Sequence, residues 1–130
     1  MRLLIDTHAL LWFCEGSTLL TEAARAAMED ETNERFVSQA VPWEIAIKLA
    51  LGKLQIQMDY QAIFPGVLEA NGFRVLPPSF EHYRRLISLP RHHGDPFDRL
   101  MICQAQTDGL TTISRDPQFS AYEISLLWRG

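Results

Sequence analysis

Short runs of strand character recur along this chain with a helical pattern between them. They are Leu3-Leu4-Ile5, Arg35-Phe36-Val37-Ser38, Phe73-Arg74-Val75-Leu76 and Leu110-Thr111-Thr112-Ile113, and Glu123 to Leu127 closes the series. Strands joined through helices return to the same end of a sheet, so the order predicts a mainly parallel sheet of four or five strands with right-handed crossovers. Helices then cover both faces, giving a three-layer α/β/α sandwich. The apolar first run, with no polar alternation, is what a strand buried on both sides requires. A chain of 130 residues, 47% hydrophobic and 22% charged, is long enough to build such a core as one domain spanning residues 1–130.

In an open parallel sheet the C-terminal ends of the strands and the N-terminal ends of the helices share one rim, and ligands bind there. Four acids are expected on it. Asp6 ends the first strand, and Thr7 is available to cap the helix that follows. Pro42 to Gly52 reads as a helix with proline at its start and glycine at its stop, which places Glu44 in the first turn. Lys48, four residues on, is spaced to pair with Glu44. In His92-His93-Gly94-Asp95-Pro96-Phe97-Asp98-Arg99, Asp95 has the chemistry of an N-cap, Pro96 fits the first helical position, and Asp98 falls at the third. Asp116 stands just past the fourth strand, where Asp116-Pro117 also reads as an ordinary turn.

Other segments carry less chemistry. Thr21 caps a helix to Met28, Asp59 a helix from Tyr60 to Ala70 ending at Asn71-Gly72, and Ser79 a helix to about Leu89. The neighbours His92 and His93 diverge if the backbone is regular, so loop packing or a phosphate contact suits them better than joint metal ligation. Cys14 and Cys103 lie in apolar surroundings, far apart, and read as small buried hydrophobes.

Three or four carboxylates gathered at ~4–6 Å repel by several kcal/mol in total at an effective dielectric near 20. A cation relieves this, and an all-oxygen donor set suits Mg2+, with Mn2+ as an alternative. Such a site is suited to hydrolysing a phosphodiester. A net charge of −4 argues against a protein that coats nucleic acid by charge alone, but not against a nuclease whose centre is itself acidic. The longest apolar run, Ala9 to Cys14, is too short to span a bilayer, and no signal-peptide pattern opens the sequence, so a cytoplasmic protein without membrane contact is expected.

The acids in their local settings, Leu4-Ile5-Asp6-Thr7-His8, Trp43-Glu44-Ile45-Ala46-Ile47-Lys48, His93-Gly94-Asp95-Pro96-Phe97-Asp98-Arg99 and Ser114-Arg115-Asp116, resemble those of PIN-domain ribonucleases. In particular they resemble the VapC-type toxins of bacterial toxin–antitoxin pairs, and the likeness covers essentially the whole chain. The resemblance implies that Asp6, Glu44, Asp98 and Asp116 are the catalytic acids that hold magnesium and activate water. Asp95 is then an accessory metal acid and Ser114 a supporting hydroxyl. It further implies an RNA substrate, a cognate antitoxin and a homodimer. Arg84, Arg85, Arg91 and Arg99 are candidates to hold substrate phosphates. Val41-Pro42 departs from relatives that carry a serine before the tryptophan, so one supporting hydrogen bond is in doubt. Two other classes remain open at this point: a receiver-like phosphoacceptor domain, which also gathers acids and magnesium at a sheet edge, and a catalytically silent binding module of the same fold.

Overall fold

The structure is a computed structural model and describes residues 1–92 and 94–128. Five strands form one sheet among the described residues: β1 (Arg2–Ile5), β2 (Glu34–Ser38), β3 (Arg74–Leu76), β4 (Thr111–Ile113) and β5 (Ser125–Leu127). Every pairing is parallel, in the order β3-β2-β1-β4-β5. The chain builds outward from β1 on one side and then returns to β1 to build on the other. Such a reversal leaves a crevice beside the central strand, between the loops that follow β1 and β4. A receiver-like fold has a different strand order, 2-1-3-4-5, so the topology separates this chain from that alternative.

Successive residues of a strand point to opposite faces, and Leu3, Leu4 and Ile5 are each fully buried, so both faces of β1 are covered. The sheet is therefore the middle of three layers. The helices are α1 (Thr7–Glu15), α2 (Glu22–Glu29), α3 (Ala40–Ala50), α4 (Leu68–Asn71), α5 (Phe80–Ser88) and α6 (Pro96–Asp108). Their starts follow local chemistry. Thr21 accepts from the Ala24 amide at 3.1 Å, and Ser79 and His82 form a reciprocal capping box at the head of α5. The same His82 ring reaches the Asp108 carboxylate at 3.1 Å, tying the head of α5 to the tail of α6. The two helices thus run side by side in opposite directions.

Two expected helices differ. The one expected from Tyr60 to Ala70 is broken: the backbone leaves helical angles at Phe64 (φ −118°, ψ 96°), just ahead of Pro65. Proline's ring crowds the residue before it out of the helical region, and that local effect outweighs the helical pattern around it. The result is an irregular helical stretch, Ala62–Val67, followed by the short α4. The other helix, α3, begins at Ala40, two residues before Pro42. The amides of a first helical turn have no partner within the helix, so proline at the third position costs little. Glu44 consequently lies in the second turn, not the first.

Cys103 is buried and Cys14 half-buried, and burial pushes the Cys14 thiol up to about 11 and raises that of Cys103, so both are poor nucleophiles. Among the described residues no helix is long and apolar enough to cross a membrane.

Candidate functional site

Asp6 leaves β1 in extended conformation and caps α1, accepting from the Ala9 amide at 2.8 Å. Thr7, available in sequence for that capping role, does something else. Its hydroxyl donates to Glu44 Oε1 at 2.7 Å, and Lys48 Nζ donates to Glu44 Oε2 at 2.5 Å. Glu44 is 3% exposed, and these two donors are what make a buried carboxylate tolerable there. Glu44 thus reaches the rim by being held from β1's end and from its own helix. The role of Thr7 was missed because it depends on a partner 37 residues away.

Asp95 caps α6 as its spacing predicts, accepting from the Phe97 and Asp98 amides at 2.9 and 3.2 Å, with Pro96 first in the helix. Asp116 caps a single 3-10 turn, Pro117–Ala121, accepting from the Gln118 amide at 2.9 Å. The Ser114 hydroxyl accepts from the Asp116 amide at 3.1 Å and also hydrogen-bonds the Asp6 side chain. One serine therefore links the loops after β1 and β4. The loops are joined again by the Asp6 amide, which donates to the Ile113 carbonyl at 3.2 Å.

The charges show how closely these acids are gathered. Asp98 is pushed up to about 8, first by burial and then by the negative charges of Asp95, Glu44, Asp6 and Asp116. All five acids from the sequence thus meet in one field, though residue numbers 6 and 116 lie near opposite ends of the chain. Burial likewise raises Asp6 to about 6, against the opposing pull of the Ser114 hydrogen bond. Lys48 is raised in turn, chiefly by its hydrogen bond to Glu44, with Asp95 and Asp98 contributing. Even so, among the described residues no three His, Cys, Asp or Glu side chains stand close enough together to grip an ion as they are. The donors are all oxygen and the field is strongly negative, which fits a hard cation that keeps most of its water and takes only one or two carboxylates directly.

The arginines separate from this cluster. Arg99 is buried, donating to the Pro90 and Leu89 carbonyls at 2.9 and 3.1 Å and to the Tyr122 hydroxyl at 3.4 Å. It is the anchor of the loop before α6, not a phosphate ligand. Its replacement by Ala leaves the buried Leu89 carbonyl and the part-buried Pro90 carbonyl without this donor and is expected to destabilise the fold by about 2–4 kcal/mol, read by urea unfolding. Arg84 is exposed and paired with Glu81. Arg85 binds Thr107 Oγ1 at 3.0 Å and Gln106 Oε1 at 3.4 Å, roughly 12 Å along α6 from Asp98 by helical rise. Neither approaches the acids. Arg91 is exposed in the loop that precedes them. The His92 ring packs edge-on to Tyr122 at 4.8 Å, while His93 lies outside the described residues.

Fold and rim together define an all-parallel α/β domain with acids collected at the crevice where strand order reverses. Residues 3–124 match the family model of the PIN domain. The chain belongs to the PIN domain family. Three solved structures have similar folds. They are VapBC2 from Rickettsia felis bound to a DNA fragment from its promoter (13% identity, TM-score 0.72, covering 98% of this chain and 99% of that one), FitAB bound to the IR36 DNA fragment (15%, 0.69, 96% and 93%) and VapBC-1 from nontypeable Haemophilus influenzae (18%, 0.65, 98% and 97%). Among curated proteins none matches the sequence.

Proposed function

We propose that this protein is an endoribonuclease that depends on a divalent cation and serves as the toxin of a toxin–antitoxin pair. One observation carries the nuclease reading: Asp98 is pushed up to about 8, first by burial and then by the charges of four other acids, three of them from other segments of the chain. A surplus of buried negative charge of that size is an arrangement that structure alone gains nothing from, and a bound cation gives it a purpose. Magnesium or manganese at the rim would supply positive charge opposite a phosphodiester and let a water ionise near neutral pH.

The chain's own groups then have distinct tasks. Asp6, Asp98 and Asp116, with Glu44 and the accessory Asp95, hold the cation and accept protons from water around it. Thr7 and Lys48 aim Glu44, and Ser114 aligns Asp6 with the Asp116 loop. Lys48 also offsets part of the negative field that a nucleic acid must approach. In the test, a single-stranded RNA is incubated with the protein and Mg2+ or Mn2+, and its ends are mapped. Cleavage by the wild type and none by folded Asp6→Asn is expected; equal cleavage by that variant, or none by the wild type with either ion, overturns the reading.

The toxin role is supported by the likeness to VapC-type chains and by similar folds among VapBC and FitAB structures, and it implies an antitoxin that covers the site. Expression alone is expected to arrest bacterial growth, and co-expression of a short neighbouring reading frame to relieve it. A homodimer is supported by α5, whose outer face exposes Phe80 (86%), Tyr83 (45%) and Ile87 (87%) at helical spacing. If a second copy covers this stripe, Ile87→Glu leaves the fold intact and shifts sedimentation from dimer to monomer.

A further inference from the structure

Beside the carboxylates, at the crevice between the loops after β1 and β4, lies a cleft of about 270 Å³ lined by His8, Trp12, Arg115, Asp116 and Pro117. None of these except Asp116 belongs to the proposed metal set. The lining is flat and partly cationic. The Arg115 guanidinium carbon sits 4.8 Å from the centre of the Trp12 ring, and the His8 ring lies 5.6 Å from it, tilted by 31°. Trp12 is steadied in turn by Trp128, with ring centres 5.8 Å apart. His8 and Arg115 are exposed while Trp12 is half-buried, so two planar groups stand at the mouth over an aromatic floor.

We infer that this cleft holds one unpaired base of a single-stranded RNA, stacked against His8 and Arg115, with the adjoining phosphate at the carboxylates. The inference rests on the ribonuclease reading and adds to it a base-binding subsite. Three observations carry it. Asp116 lines the cleft and also contributes its charge to the acidic rim, so a ligand in the cleft lies directly beside the carboxylates. The cleft is smaller than the roughly 300–1,000 Å³ that drug-sized ligands occupy, which suits a single ring system. Its planar and cationic groups are those on which unstacked bases lie, histidine and the guanidinium plane among them. A base within a duplex is already stacked on its neighbours and has no free face to offer. Because the chain is net negative, Arg115 also brings positive charge to the place where a polyanion must land.

The test uses the full chain carrying Asp98→Asn, which removes cleavage, with Mg2+ present. A fluorescein-labelled RNA pentanucleotide is compared with five versions, each abasic at one position, by anisotropy. One position is expected to cost about tenfold in Kd when its base is removed, and the others little. Adding His8→Ala or Arg115→Ala, both at exposed positions, is expected to weaken the intact strand and to abolish that position's penalty. A penalty unchanged in both variants overturns the subsite. So does an Arg115→Ala loss equal for all six strands, which marks a phosphate contact only, and so does the absence of any position-dependent penalty. Cleavage by the protein with native Asp98 is read separately. If a position-specific penalty stands while no RNA is cut with Mg2+ or Mn2+, the base site survives and the nuclease reading falls.

Discussion

Asp98→Asn is expected to abolish RNA cleavage while making the cation-free protein more stable at pH 8. The two effects have one source. Asp98 is the acid on which the other four converge, and its ionised form is opposed by burial and by their charges. Asparagine keeps the shape and removes the charge. Shifts of this kind translate at about 1.4 kcal/mol per pH unit, and Asp98 is only partly buried, so solvent screening trims the full shift to a gain of about 2–3 kcal/mol. For a domain of this size that is roughly 5–10 °C in Tm. Cleavage is expected to drop by ~10²-fold or more, since both the cation and the water it activates lose an acid. A residue conserving the fold would behave in the opposite way, losing stability and activity together. Calorimetry in EDTA with a gel assay in Mg2+ separates the cases, and a lower Tm for the variant at pH 8 would refute the electrostatic account.

The second large effect is on pH dependence. In the native chain Asp98 keeps its proton up to about pH 8 and Asp6 to about 6, whereas in the unfolded chain both release it near 4. Between those limits the folded state binds more protons, so the stability of the cation-free protein falls as pH rises from about 4 to about 8. Both groups act in the same direction up to about 6, and Asp98 continues alone beyond it. A bound divalent cation reverses the preference by favouring the ionised carboxylates, so Mn2+ or Mg2+ is expected to raise Tm much more at pH 8 than at pH 5. Near pH 7 cation binding is expected to release about one proton, chiefly from Asp98. Titration calorimetry in buffers of different ionisation heat measures it directly. A Tm gain independent of pH, with no proton released, would show that these carboxyls are not what the cation meets.

The cation-free chain thus stores its readiness for a ligand as a local instability. Lys48 limits it from one side by pairing with Glu44, and Ser114 from the other by its bond to Asp6. Neither reaches Asp98 with a hydrogen bond among those described, and that carboxyl is pushed up first by burial and then by the charges of the four other acids.

Much of this was legible in the residues themselves. The cap and stop of α6, Asp95-Pro96 and Gly109, follow from backbone amides left over at a helix start and from a left-handed stop (φ 66°) that glycine adopts freely. The parallel sheet followed from strands alternating with helices, and the shared rim from the direction of the crossovers. Where a single local rule applied the expectation failed only if a stronger local rule stood beside it, as at Phe64, which precedes a proline, or at Ala40, where proline is tolerated inside the first turn. The arginines were less legible, because a guanidinium looks the same in sequence whether it is solvated, like Arg84, or buried under carbonyls, like Arg99.

Helix ends, strand runs and the acids after β1 and β4 are short-range matters, settled within a few residues, and the order of letters determined them. The raised affinity of Asp98 for its proton, the seizure of Glu44 by Thr7 and the cleft between His8 and Arg115 were decided only by packing. Thr7 and Glu44 lie 37 positions apart, His8 and Arg115 more than 100, and Asp98 feels Glu44 and Asp6 as well as its near neighbour Asp95; burial and Coulomb energy depend on distance in space, which sequence separation does not measure.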